Sequence, residues 1–578
     1  MLKTRYKTGD IPLSEYPRPQ MRRDSFICLN GEWSFAKCKR EEDMTELPLR
    51  ITVPFSPETE SSGIGSGFEL GNDEKLVYER EISLDGGQLG GATLLHFGAV
   101  DQEATVWLNG EPVGKHRGGY TPFSFDVSNV LKKGANVLRV EVTDTTELSS
   151  GARGKQSSNR GGIWYIKQSG IWQTVWLESV PCDYIKELKI TPDAENKTVR
   201  IFSDCESRQS VRVFDGEREI ISAELTQKQA ELSYDFELWS PEHPKLYDLV
   251  IETESGDRVY SYFGVRSFGM GKDEKGIPRL LLNGKPYFLN GVLDQGYWPE
   301  GLLTYPSEEA IVDELSMLKD MGFNFIRKHI KIEPLRWYYH CDRLGLVVWQ
   351  DFVSGGGNYK FTHIAAFPFL GFKHKDSDYK YFAREDREGR EEFISSVYET
   401  VDTLYNSTSI GAWVPFNEGW GQFDSEKITK MTQELDSTRI IDSVSGWHDQ
   451  GESKTMLKSL HTYYTPLKVP KDSRPVVLSE FGGYSMKTEG HVFCEEKEFG
   501  YKKFQSKEEL LLALRRLYLI KLKPLISKGL CACVYTQVSD VEEEINGLVT
   551  YDRQVTKVPV CEMRAINDEI AEEARKIK

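Results

Sequence analysis

No apolar run in this 578-residue chain approaches the ~20 residues that a membrane-crossing helix needs, so no membrane partner is expected. Positive charge is in short supply as well: 73 Lys and Arg face 89 Asp and Glu, a formal net charge of −16, which argues against nucleic acid as a partner. The 9 cysteines, at positions 28, 38, 182, 205, 341, 494, 531, 533 and 561, form no CxxC pair and are odd in number. They read as reduced thiols rather than a disulfide framework or a zinc site. The basic start at residues 1–7 is followed by no apolar h-region, so a secretory signal is not expected and the cytoplasm is the expected location. Low-complexity tracts and repeats of solenoid period are missing too. No cofactor is implied, and composition leaves a homo-oligomer open.

What is present suits a large globular chain. Hydrophobic residues make up 39% and aromatics 12%, including 12 Trp and 27 Tyr. A prior of one domain per ~150 residues gives about four, and a large barrel lowers that to three. Residues 1–181 read as all-β, with short alternating runs such as Ala104-Thr-Val-Trp-Leu108 and a hairpin signal at Asn109-Gly110. Residues 182–270 give a second set of short strands, the size of an immunoglobulin-like sandwich. From 271 to 578 strands and helices alternate. The strands fall at 287–292, 324–330, 346–352, 410–416, 440–444, 460–464, 476–480 and 531–537, the count of a (β/α)8 barrel. Between them, Ser506-Lys-Glu-Glu509 is a capping box ahead of Leu510, Leu514 and Leu517, and one last helix is expected at 563–577, where the barrel closes without further domains.

The chain is organised around Gly411-Ala-Trp-Val-Pro-Phe-Asn-Glu-Gly-Trp-Gly-Gln-Phe-Asp424. Its near-continuous apolar character fits a strand buried on both faces, and Pro415 should end the ladder and leave Asn417 and Glu418 facing a cavity. Arg474-Pro-Val-Val-Leu-Ser-Glu480-Phe-Gly-Gly has the same form. Cleaving a glycosidic bond needs two carboxyl groups, one to protonate the leaving oxygen and one to attack or to activate water. Glu418 and Glu480 are the candidates, with their two roles left unassigned by the residues alone.

These motifs resemble glycoside hydrolase family 2, the family of β-galactosidases, β-glucuronidases and β-mannosidases, and the resemblance covers nearly the whole chain. It implies a jelly-roll sugar-binding domain, carried by Leu29-Asn-Gly-Glu-Trp-Ser-Phe35 and Ser169-Gly-Ile-Trp-Gln-Thr-Val-Trp176, then an immunoglobulin-like domain and a TIM barrel. It also implies Glu418 as acid/base and Glu480 as nucleophile of a retaining double displacement, with carboxyls ~5–5.5 Å apart rather than the ~6.5–9.5 Å of inverting enzymes.

Around the pair, Asn417 suits a sugar hydroxyl near the reacting carbon. His461 and Tyr463 match the family's His-x-Tyr, with Tyr463 placed to hold the nucleophile's charge. Arg327 and His329 end the second strand, where a plain barrel ion pair is the competing reading. Asp294 and Asp351 follow the first and third strands; Asp294 either holds hydroxyls or caps a helix. Trp298, Trp420, Trp447, Tyr535 and Gln537 are rim candidates, whereas Trp164 and Trp172 fit a core or interdomain place better. The long stretches 354–381 and 484–505 are expected to shape the leaving-group side.

The match departs from the family in two places. Its glucuronidases carry an Asn-x-Lys pair after the eighth strand, and here the loop reads Glu542-Glu-Glu-Ile-Asn-Gly-Leu548. An acidic wall should repel a carboxylate sugar. The magnesium ligands of large β-galactosidases are not matched, so no metal is expected. The sequence therefore points to an exo-acting retaining β-glycosidase on a small neutral carbohydrate, β-galactoside ahead of glucoside, mannoside or arabinoside. A transglycosylase or a carbohydrate-binding pseudoenzyme are the readings from other classes.

Overall fold

A computed structural model describes every residue except 1, 86–90, 147, 149 and 361. The first unit has a six-stranded antiparallel sheet and a four-stranded one. Their shared core holds Trp33, Phe35, Tyr78, Leu95, Val106 and Val140, and along Gly134–Thr143 the buried positions alternate with more exposed ones. Asn109 and Gly110 both adopt positive φ, 56° and 83°, and join Glu103–Leu108 to Glu111–Arg117 in the tight hairpin that the dipeptide predicts. The second unit pairs a three-stranded with a four-stranded sheet around Ile190, Ile201, Val213, Leu249 and Phe263.

The third unit carries the eight expected parallel strands: β1 (Leu289–Asp294), β2 (Phe325–Lys328), β3 (Val347–Asp351), β4 (Ile410–Val414), β5 (Ile440–Ile441), β6 (Lys458–Thr462), β7 (Val476–Gly482) and β8 (Leu530–Thr536). They form one sheet in the order β5-β4-β3-β2-β1-β8-β7-β6. Strand β1 thus pairs with both β2 and β8, and the sheet curls round with its seam between β5 and β6. Every residue of β3, β4, β7 and β8 is buried, which is why these segments read as unbroken apolar runs.

The helices follow their caps. Ser307 accepts from the Ala310 amide at the start of Glu308–Asp320. At the capping box Ser506 accepts from the Glu509 amide and Glu509 from the Gln505 amide, one residue before the reciprocal partner such a box uses. The helix beyond it widens into a π-helical stretch, Arg516–Leu522, where the sequence suggests a regular helix. Pro524 has no N–H to offer the preceding turn, and the ladder opens just before it. The last helix runs Val560–Ala574, earlier than expected, because Pro559 sets its start.

The segment between residues 150 and 173 clamps the first unit onto the barrel. Arg153 Nη2 donates to the Gly357 carbonyl at 3.0 Å, Arg160 pairs with Glu543 at 2.6 Å, and Tyr165 donates its hydroxyl to Glu544. Residue 361, within the long 354–381 stretch, lies outside the described residues. The 484–505 stretch adds a parallel pair, Tyr484–Met486 with Lys502–Phe504.

Candidate active site

Strand β4 stops at Val414, one residue before Pro415, as a residue with no ladder donor requires. The chain then crosses to the segment after β5: the Ser445 amide donates to the Phe416 carbonyl at 2.8 Å and the Glu418 amide to the Ser445 carbonyl at 3.0 Å. Glu418 sits at φ 51° in the left-handed region, which turns its side chain away from the strand direction. Gly419 follows at φ 77°, and a Cβ there would lie 2.7 Å from the His448 ring. Glu480 stands inside β7, where the register shifts against both β6 and β8 and the irregularity aims its carboxylate.

The two glutamates meet. One carboxylate oxygen of each and a ring nitrogen of His461 all lie within 4.8 Å of one another. Both residues are nearly buried, Glu418 at 7% and Glu480 at 5% exposure. His461 Nδ1 is 2.6 Å from Glu418 Oε1, and its Nε2 is 3.1 Å from Ser445 Oγ. Gly446 makes room for that ring, since a Cβ there would come within 2.6 Å of it.

Arg327, fully buried at the end of β2, ties the floor of the site together. It makes a two-point bridge to Asp351 at 3.0 Å for each bond, and reaches Glu480 Oε1 at 3.1 Å, the Ser479 carbonyl at 3.1 Å and Asn417 Oδ1 at 2.8 Å. His329 Nδ1 lies 2.7 Å from Asp351 Oδ2. Tyr463 donates its hydroxyl to Glu480 Oε2 and stacks on Tyr501 with ring centres 3.7 Å apart. Burial, together with the charge of Glu480, pushes the Tyr463 hydroxyl well up, so it stays a donor.

The glutamates are driven apart electrostatically. Burial raises the Glu418 carboxyl, and the Glu480 charge adds to that rise against the histidine. Burial pushes Glu480 up as well, but His461, Arg327 and His329 and the Tyr463 hydrogen bond outweigh it and hold it down to about 2. One group keeps its proton where the other has lost it. A raised carboxyl binds its proton more tightly folded than unfolded, so the Glu418 charge weakens the fold once pH passes the unfolded value of ~4.3. Glu418→Gln is therefore expected to raise the thermal midpoint at neutral pH and to leave it unchanged below about pH 4. An equal shift at both pH values, read by scanning calorimetry, would assign the effect to packing instead.

An aromatic wall stands beside Glu418. Trp420 packs against Trp164 at 5.2 Å and Tyr359 at 6.4 Å between ring centres. Trp164, half-buried, therefore lies between the first unit and the barrel, the interdomain place expected for it, while Trp172 is core with its indole N–H on the Gly119 carbonyl. Trp447, also half-buried, has its ring 6.2 Å from that of His461.

Four expected site residues are engaged elsewhere. Asp294 takes a bond from Lys328 Nζ at 2.5 Å and from the Gly296 amide at 2.8 Å, which makes it part of a barrel ion network. Trp298 is 1% exposed beneath the Arg553 guanidinium. Tyr535 is buried, with its hydroxyl on the Tyr484 backbone, and Gln537 is bonded at both ends, to Gln295 and Asn546. The acidic loop after β8 also differs from the wall that its composition suggests. Glu542 accepts from the Ile166 amide, Glu543 pairs with Arg160, and Glu544 accepts from Tyr165 and Asn546. These carboxylates are turned into the contact with the first unit, where Arg160 is the cation that meets Glu542 and Glu543.

Glu418, His461 and Glu480 are the one metal-type grouping among the described residues. The Arg327 guanidinium, shared between Asp351 and Glu480, already puts positive charge 3.1 Å from Glu480 and opposes a second cation there. A cavity of about 430 Å³, lined by Pro17, His96, Trp176 and Glu187 at the junction of the units, holds none of the groups named above.

Three family models match the chain: the sugar binding domain of glycosyl hydrolases family 2 over residues 64–181, a second family 2 domain over 184–266 and the family 2 TIM barrel domain over 275–560. A β-galactosidase of Thermoanaerobacter pseudethanolicus is 25% identical over 47% of this chain and 39% of its own length. A putative β-glucuronidase of Formosa agariphila is 26% identical over 71% of this chain and 50% of its own. The β-galactosidase large subunit of Latilactobacillus sakei is 25% identical over 74% of this chain and 68% of its own. The chain thus spans half or less of the length of the first two. Among solved structures, a Ruminococcus gnavus β-glucuronidase with uronic isofagomine superposes with a TM-score of 0.74 at 18% identity, covering 96% of this chain and 98% of that one. A β-galacturonidase from Eisenbergiella tayi gives 0.67 at 18%, covering 99% and 98%. These two likenesses are likenesses of fold.

Proposed function

We propose, on the premise that this chain belongs to glycoside hydrolase family 2, that it cleaves a terminal β-linked sugar with retention, Glu480 attacking and Glu418 acting as acid and then base. The observation that carries this reading is a pair of carboxyls within 4.8 Å whose proton affinities are pushed in opposite directions. That is short of the ~6.5–9.5 Å an inverting enzyme keeps for its water. In the first step the ionised Glu480 oxygen bonds to the anomeric carbon while Glu418 gives its proton to the departing oxygen. In the second, Glu418 takes a proton from water, whose oxygen displaces Glu480 and returns it as a carboxylate.

The surrounding groups support these roles. Arg327 and Tyr463 both donate to Glu480 and keep it ionised at the expense of its basicity. His461 reaches Glu418 and sits 3.6 Å from Glu480, which links the two carboxyls as charge passes between them. Asn417 has its oxygen on Arg327 and, among the described residues, no acceptor for its buried amide Nδ2. That N–H is free for a hydroxyl beside the reacting carbon, where a contact strengthens in the transition state. The first two units fit the jelly-roll and immunoglobulin-like reading, with the first of them forming one wall of the pocket.

A panel of aryl β-galactoside, glucoside, mannoside, arabinoside and the corresponding uronides tests the reaction, with the anomer released first followed by NMR. The expected result is turnover of one sugar with the β-anomer appearing first. First appearance of the α-anomer would sink the double displacement, and silence across the panel would favour a carbohydrate-binding role.

A further inference from the structure

Tyr463 is the first residue past β6, so the ladder no longer sets the direction of its side chain. Its hydroxyl nevertheless meets one particular oxygen, Glu480 Oε2, with Thr536 Oγ1 3.2 Å away. The seat of its ring comes from another part of the barrel. Tyr501, in the 484–505 stretch, lies against it with ring centres 3.7 Å apart and planes within 4°, so that one ring covers the other almost wholly.

Tyr501 is itself held by backbone on both sides. Its amide donates to the Gly483 carbonyl at 3.1 Å, one residue before the parallel pairing of Tyr484–Met486 with Lys502–Phe504 begins. Two residues earlier the Phe499 amide donates to the Glu543 carbonyl at 2.7 Å, and the Phe499 carbonyl takes the Ile545 amide at 2.9 Å. Glycines permit the approach: a Cβ on Gly483, at φ 64°, would come within 2.3 Å of the Tyr501 ring, and one on Gly500 within 2.3 Å of Ser485. Phe499 and Tyr464 meet Tyr501 in edge-type contacts, with ring centres 5.5 and 5.7 Å away. The segments that follow β7 and β8 thus fix where this ring stands.

We propose that Tyr501 is a positioning residue for the nucleophile: its ring seats the Tyr463 phenol so that the hydroxyl donates to Glu480 Oε2. Without that seat Tyr463 gains rotamers in which the bond is unmade, and Glu480 loses one of the contacts that hold it ionised. Tyr501 also helps to keep its neighbour a donor. After burial and the charge of Glu480, it is the next group that pushes the Tyr463 hydroxyl up. The kinetic consequence rests on the glycosidase reading, whereas the link from Tyr501 through Tyr463 to Glu480 does not.

The test uses the full chain, with Tyr501→Leu made in the wild type, in Tyr463→Phe and in Glu480→Gln. In the wild type Tyr501→Leu is expected to lower kcat about 10-fold on the sugar that is turned over, with KM nearly unchanged. Tyr501→Phe keeps the ring and should stay within about threefold of the wild type. In Tyr463→Phe the same leucine should cost little further rate, because the hydroxyl that the ring seats is gone. Melting at neutral pH gives a reading that needs no turnover: Tyr501→Leu should lower the midpoint more in the wild type than in Tyr463→Phe or Glu480→Gln. A rate loss as large in Tyr463→Phe as in the wild type, a Tyr501→Phe as slow as Tyr501→Leu, or melting shifts that simply add would overturn the assignment and leave Tyr501 as packing. Turnover that Glu480→Gln abolishes and Tyr501→Leu spares would refute Tyr501 and keep the hydrolase. No turnover of any glycoside, with melting shifts that do not add, would uphold Tyr501 and refute the hydrolase.

Discussion

Glu480→Gln is expected to lower kcat on an activated aryl glycoside by on the order of 10⁴-fold or more, the scale seen when a covalent nucleophile is removed. The carboxylate is held down to about 2, so it is fully ionised at any working pH, and the amide removes that charge at nearly constant volume. Arg327 keeps its two bonds to Asp351, so the pocket should stay assembled. The melting temperature should move far less than the rate does. Substrate binding should persist, because the groups that meet the sugar's hydroxyls are elsewhere. A wild-type rate in Glu480→Gln would remove Glu480 from the reaction; a loss matched by unfolding would leave the chemistry to be located by Glu418→Gln under the same assay.

Which residues would meet around this pair was only partly legible in the sequence. Strands β3, β4, β7 and β8 stood out because they are buried on both faces, and Glu418 and Glu480 stood out because a carboxylate ending such a run has no structural partner within it. Asn417, His461, Tyr463, Arg327, His329 and Asp351 are brought to the same place by strands β2, β3, β4, β6 and β7. Asp294, Trp298, Tyr535 and Gln537 are also near strand ends, yet alternate residues of a strand point to opposite faces, and position along the chain does not say which way a particular one turns. Asp294 finds Lys328, and Gln537 finds Gln295 and Asn546.

The seat of Lys155 against Tyr165 and Trp420 could not be seen at all from sequence. It lies in an irregular stretch of another unit, and a lysine between glycine and glutamine reads as solvent-exposed loop. Only the docking of residues 150–173 against the barrel buries it, and that docking depends on Arg160 and Tyr165 meeting glutamates almost 400 residues away. The same glutamates, read as a wall against acidic sugars, prove to be the clasp that brings the lysine in. Composition identified their charge correctly but not the direction in which it faces.

Arg327→Met is expected to have the second large effect, on stability and on pH dependence together. The guanidinium is fully buried and bonds Asp351, Glu480, Asn417 and the Ser479 carbonyl at once. Removing it takes the guanidinium from two buried carboxylates, Asp351 and Glu480, at once, a loss of about 3–5 kcal/mol by the measure of broken buried pairs. The Glu480 carboxyl, freed of one of the charges that depress it, should rise. A depressed carboxyl stabilises the fold above its unfolded value of ~4.3, and that contribution disappears as pH falls toward about 2. In Arg327→Met the stabilisation should shrink across that whole window, and the acid limb of kcat/KM should move up in pH, since the nucleophile protonates sooner. Arg327→Lys restores charge but not the two-pronged geometry, so it should recover part of the stability while Asn417 loses its anchor. Denaturant midpoints and a pH–rate profile on one substrate give both readings. An acid limb that stays in place in Arg327→Met would mean that His461 and Tyr463 alone keep Glu480 ionised, and that Arg327 serves the barrel rather than the nucleophile.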